Sequence, residues 1–202
     1  MKIGTIFILI SSILFQEPTN TFLANPFDLQ KFKKAKGQSN SGGADVQPYY
    51  YRPEGKGVYY RFFIFRSPNT FIYSGNETQK YPIRYGMGFQ IVTYKPLGKY
   101  RDAYLDPTET LIELEASYND PDMPQLAFIG LDTTRVKMKL GTNFLRKANS
   151  FIYSYNKNVL VLRISEGGTV ACLKYARLKT AFTNDSKLDE LIEMNCSNKP
   201  VR

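Results

Sequence analysis

The chain has 202 residues, with 27 Lys and Arg against 18 Asp and Glu, a formal charge of +9, two cysteines and no histidine. With histidine absent, Ser-His-Asp and Cys-His hydrolysis are excluded, and two cysteines alone do not complete a structural zinc site. Gly86-Met87-Gly88 has neither the spacing nor the Lys-Ser/Thr pair of a phosphate-binding loop, so no cofactor is expected.

The first element in chain order is a leader. Lys2 precedes an apolar run, Ile3 to Phe15, and a polar, Pro-containing stretch follows, which is the layout of a secretory signal peptide. About 13 apolar residues are too few for a helix to cross a bilayer core of ~30 Å. Residues 1–24 are read as the signal peptide with its cleavage point open. Ala24 suits the last position but Phe22 is not small, and a cut before Gln16 leaves Phe15 at the end. No later window offers about 18 consecutive apolar residues, and no cysteine follows the run to take a lipid anchor. The expectation is an exported protein, periplasmic or secreted, neither transmembrane nor a lipoprotein.

Residues 25–46 read as a basic segment and a flexible linker. Asn25 to Lys36 can form a short helix with Phe27, Leu29 and Phe32 as apolar anchors. Lys31, Lys33, Lys34 and Lys36 make the densest cationic cluster. Two readings of it stand: a solvated face, or loose attraction to an anionic polysaccharide or lipid surface worth roughly 1 kcal/mol per basic residue. Export argues against nucleic acid. Gly37 to Asp45 is rich in Gly and Ser, as a linker is.

Residues 47–124 are β-rich. GVYYRFFIFR, TFIYSG, YPIRYG and GFQIVTYK are rich in Tyr, Phe, Ile and Val and are separated by Gly, Pro, Asn and Ser, which specifies strands joined by turns. Thr108 to Ser117 sets Leu111, Glu113 and Glu115 against Ile112, Leu114 and Ala116, and this alternation favours a strand.

Residues 125–202 open with a helix. Asp132 or Thr133 can cap it, Val136 and Leu140 lie one turn apart on one face, Arg135, Lys137 and Lys139 point to solvent, and Gly141 ends it. SFIYSYN, NVLVLRIS, a Gly167-Gly168 turn and TVACLKYARL follow as a three-strand antiparallel meander, with a tail beyond. Two outcomes are open for Cys172 and Cys196. They either form a disulfide closing a loop of about 25 residues, worth about 3 kcal/mol, or remain two thiols. NSFIYSYNK at 149–157 nearly repeats NTFIYSGNE at 69–77; in each, Phe and Tyr share a strand face and the last Asn enters a turn. Duplication and a shared hairpin vocabulary both account for the repeat. The fold class expected is α+β, mostly antiparallel sheet.

The segment GLDTTRVKMKLG, 130–141, resembles the Gly-[Met/Leu]-[Thr/Ser/Asp]-x-x-x-Val-x-x-x-Leu-Gly signature of the SmpA/OmlA (BamE-like) envelope domains. The resemblance covers about 129–179 and implies a helix followed by an aromatic strand and two more strands. It gives Gly130, Val136, Leu140 and Gly141 structural roles, and it implies protein–protein recognition through the sheet, since family members are non-enzymatic binding modules. The chain departs from the family in lacking an anchoring cysteine and in carrying the extra β-rich stretch Pro48 to Pro124.

The functional expectation is a non-catalytic binding module of the bacterial envelope or secreted fraction, recognising a protein partner through its sheet. Tyr49, Tyr50, Tyr51, Tyr59 and Tyr60, with Arg52 and Arg61, form the candidate surface, because Tyr and Arg are enriched at binding hot spots. The competing reading has these tyrosines covering a small core with wet hydroxyls. The alternative class is a carbohydrate- or lipid-interacting envelope protein with weak glycan hydrolysis by Glu113 and Glu115, carboxyls that a strand face can hold about 5 to 9 Å apart. Asn119, Asp120 and Asp122 offer calcium oxygen ligands without the spacing of an EF-hand, and no metal site is assigned.

Overall fold

The computed structural model describes residues 18–36, 41–42, 44, 46–65, 87–99, 103 and 105–183. The first copy of the repeated segment, 69–77, and Cys196 lie outside the described residues. The described helices are α1 (Pro18–Ala24), α2 (Leu29–Lys36) and α3 (Thr133–Leu140), with a 3-10 turn at Pro124–Leu126. The strands are β1 (Ser41–Gly42), β2 (Gly57–Phe65), β3 (Met87–Pro96), β4 (Thr110–Ala116), β5 (Leu145–Lys147), β6 (Ser150–Tyr155), β7 (Asn158–Ile164) and β8 (Val170–Arg177). Among the described residues, no helix is long and apolar enough to cross a membrane.

The helix ends follow local chemistry. Asp28 Oδ1 accepts from the Lys31 N–H at 2.9 Å and starts α2. Asp132 Oδ1 accepts from the Arg135 N–H at 2.8 Å and starts α3. Gly141 closes α3 at φ 82°, with its N–H on the Lys137 carbonyl. Val136 and Leu140 are the buried residues of α3, as their spacing predicts.

The strands form one antiparallel sheet in the order β1-β2-β3-β4-β8-β7-β6-β5. The chain lays down β1 to β4 side by side and passes through α3 to the far edge. It then returns from β5 to β8, which pairs with β4 through Glu113↔Ala176 to Ala116↔Leu173. The β-rich region and the helix-plus-strand region thus share one sheet. Two-residue turns set the register of the returning half: Asn156, at φ 53°, begins the β6–β7 turn, and Ala148, at φ 48°, begins the β5–β6 turn. Asn156 is the last Asn of the repeated pattern, in the turn where the sequence places it.

Both faces of the sheet are covered. On one face α1, α2, the 3-10 turn and α3 enclose Leu23, Phe32, Phe62, Ile91, Leu114, Leu162 and Leu173. Pro18–Ala24, which the sequence reading assigns to the leader, packs here: Leu23 is 0% exposed and the Phe22 ring meets Phe128 edge-on at 5.5 Å. On the other face a strap, Ala44 and residues 46–51, covers Val92, Ile112, Val161, Cys172 and Ala176. Cys172 is buried and disulfide-bonded.

The alternation read along β4 is broken. Val92 pairs with Glu113 and Thr93 with Leu111, so Ile112 is an extra residue in the ladder. Leu111 consequently joins Leu114 on the helix-covered face, while Ile112 and Glu113 both turn towards the strap. The expected grouping of Leu111 with Glu113 and Glu115 is corrected by this bulge.

Candidate functional site

The strap is built as a partial extra strand. The Tyr51 N–H donates to the Arg177 carbonyl at 2.9 Å, the Lys179 N–H donates to Tyr49 O at 2.8 Å, and Tyr50 bridges Leu178. At its start the Ala44 N–H donates to Tyr59 O on β2 at 3.1 Å. Ala44 and residues 46–51 therefore reach from β2 to the end of β8, with backbone hydrogen bonds at both ends.

The Tyr50 side chain fastens the strap from beneath. It is 2% exposed, and its hydroxyl donates to the Glu113 carboxylate. Burial pushes its pKa far above the ordinary range, and the Glu113 charge pushes it further. Glu113 Oε1 also accepts from Gln90 Nε2 at 3.4 Å and lies 3.9 Å from Lys174 Nζ. Lys174 is in turn the cross-strand partner of Glu115. Glu113 is thus occupied by a tyrosine, a glutamine and a lysine beneath the strap. Its chemistry is that of a clasp, not of two carboxyls flanking an open cleft.

Tyr49 and Tyr51 of the strap and Tyr59 of β2 pack around it. Tyr49, Tyr51 and Tyr59 are half-buried, and the Tyr59 hydroxyl donates to Tyr51 O at 3.2 Å. The Tyr51 ring carries two cations, Lys157 Nζ at 5.6 Å and Arg177 Cζ at 5.3 Å. Tyr49 meets Tyr50 edge-on at 4.8 Å, and Tyr59 meets Tyr94 at 5.0 Å. Burial raises the Tyr59 pKa, opposed by the positive charge of exposed Arg52 nearby. Arg177 also borders a cleft of about 350 Å³ between the α1–α2 connection and the sheet, lined by Phe27, Gln30, Glu109 and Tyr175.

The structure therefore brings together Tyr49, Tyr50, Tyr51, Arg52 and Tyr59 of the predicted patch, and Arg61 shares the Tyr59 face. Tyr60 does not join them. One residue along β2, it points to the other face and packs on the helix-covered core, with Lys95 Nζ 5.4 Å above its ring. Lys157, Arg177 and Glu113 complete the site; the first two come from the returning half of the sheet, which no local pattern ties to Tyr51.

The predicted basic cluster is also split. Lys33 is 3% exposed and its ammonium lies 2.5 Å from Glu109 Oε2, while Thr93 Oγ1 donates to Glu109 Oε1 at 2.5 Å. Lys31 and Lys34 are exposed on α2. Asn119 and Asp120 are engaged in their own loop: Asn119 bonds both backbone polar groups of Ile129, and Asp120 accepts from Tyr118 Oη and Asp122 N. Among the described residues, no group of three or more His, Cys, Asp or Glu side chains is placed to hold a metal ion. The signature glycines sit where glycine is required, Gly130 at φ 84° and Gly141 at φ 82°. Compared with protein-family models, curated proteins and solved structures, the chain matches none.

Proposed function

We propose that the protein is an exported, non-catalytic binding module that recognises a protein partner through the outer side of the tyrosine strap. The observation that supports this reading most is the Tyr51 ring, half-buried between Lys157 and Arg177 and flanked by Tyr49 and Tyr59 on a strap tied down at both ends. Aromatic and arginine side chains held in place before binding lose little freedom on association, which is why they dominate interface energetics. The surrounding cations favour a partner with carboxylates opposite Arg52, Lys157 and Arg177. A disulfide at Cys172 suits an oxidising compartment, in keeping with export. The same proposal takes the segment from α3 to β8 as an SmpA/OmlA-like unit, enlarged by β1 to β4 and the strap.

The test is capture from native cells on the immobilised full chain, with a high-salt wash and Tyr51→Ala as control. One protein retained by the wild type is expected, and Tyr51→Ala should weaken it at least about tenfold, the scale of a hot-spot residue. Glycan turnover lost in Glu113→Gln, with no protein retained, would contradict the proposal.

A further inference from the structure

The fold separates charge along the chain. Residues 105–122 hold six Asp and Glu and no Lys or Arg, whereas 123–183 hold ten Lys and Arg and only Asp132 and Glu166 as acids. Asp132 is itself paired with Arg135, 3.5 Å away. Five of these ten basic residues lie on α3 and the neighbouring β5: Arg135, Lys137, Lys139, Arg146 and Lys147. Arg135, Lys137 and Lys139 are exposed on α3 around Met138, which is 80% exposed. Lys137 Nζ lies 5.9 Å from the centroid of the Phe151 ring, and Phe151 is the register partner of Arg146, so helix and rim form one surface. Lys137 also lies over half-buried Phe144, at 5.7 Å.

We infer that this surface docks on an anionic phospholipid bilayer. Arg135, Lys137, Lys139 and Arg146 donate to lipid phosphate oxygens, and the Met138 side chain enters the boundary between headgroups and acyl chains. The exposed methionine selects the occupant, since a polysaccharide or other soluble polyanion would give it nothing to bury in. The placement differs from the lysine cluster expected from sequence, which loses Lys33 to the interior. Because α3 covers the face opposite the strap, lipid docking leaves the tyrosine surface free for its partner.

The experiment is co-sedimentation of the full chain with phosphatidylcholine vesicles, with and without phosphatidylglycerol. Salt is raised from about 0.1 to about 1 M, which shortens the screening length from ~10 to ~3 Å. Binding is expected only with phosphatidylglycerol and only at low salt. Arg135→Gln, Lys137→Gln, Lys139→Gln and Arg146→Gln together should reduce it on the order of a hundredfold or more. Met138→Ser, a solvent-exposed change that leaves the fold intact, should reduce vesicle binding severalfold and leave binding of dextran sulfate unchanged. Equal binding to neutral vesicles, full binding by the quadruple variant, or binding of dextran sulfate without binding of vesicles would each overturn the inference. Tyr51→Ala should leave vesicle binding unaltered, so failure here and failure of the partner proposal are read separately.

Discussion

At the scale of single residues, buried polar groups decide more than the core does. Lys33 and Glu109 form an ion pair with side chains 3% and 0% exposed, joined to Thr93. Removing one member leaves a buried charge, so Lys33→Met should cost about 3–5 kcal/mol in chemical denaturation. Replacing both by apolar residues should restore much of that loss. Tyr50→Phe should cost about 1–3 kcal/mol by removing a buried hydrogen bond to the charged Glu113, measured in the same way. The buried tyrosines also set an alkaline limit. Burial pushes Tyr153 and Tyr175 up to about 12, against 10.0 for a free phenol. A group whose pKa is raised on folding stabilises below its unfolded pKa, so the contribution of these tyrosines should be constant up to pH 10 and be lost as pH rises from 10 to about 12. Denaturation midpoints against pH, with phenolate absorbance, check this. None of these pairings was legible in the sequence: Lys33 reads as one lysine among four, and its partner lies 76 positions away.

At the scale of elements, caps and periodicity were legible where the chain obeys them. Asp132, Val136, Leu140 and Gly141 read as a helix and are one, and β6 to β8 follow as the expected meander. What escaped were elements set by exceptions. β5 hides because its turn uses Ala148 at φ 48° where a Gly or Asn would have announced it; Ala148→Gly should therefore raise stability by up to about 1 kcal/mol. The bulge at Ile112 hides because it is defined by the strand opposite. Helix α1 hides behind the leader's apolar run. Leu23→Ala should cost about 2–5 kcal/mol, and any export leader should be cut ahead of Pro18 so that Leu23 stays in the core. N-terminal sequencing of the exported protein checks the position, and a mature end at Asn25 would contradict it.

At the scale of the whole molecule, the β4–β8 pairing joins two regions of different composition into one sheet. A single cooperative unfolding transition, coincident by far-UV dichroism and tyrosine fluorescence, is the expected consequence. The candidate surface depends on that joint, since Tyr51 comes from the strap and its cations from β8 and the β6–β7 turn. The aromatic residues of the site were legible as a run of tyrosines; the cations and the clasp were not, because strand order alone brings them there. The most direct test of the account is a photoreactive residue at position 51 in living cells, compared with one at exposed Gln125 on the helix-covered side. A single protein adduct at 51, resistant to high salt and absent at 125, is the predicted result. Equal labelling at both positions, or no protein adduct at 51, would contradict a binding module built on the tyrosine strap.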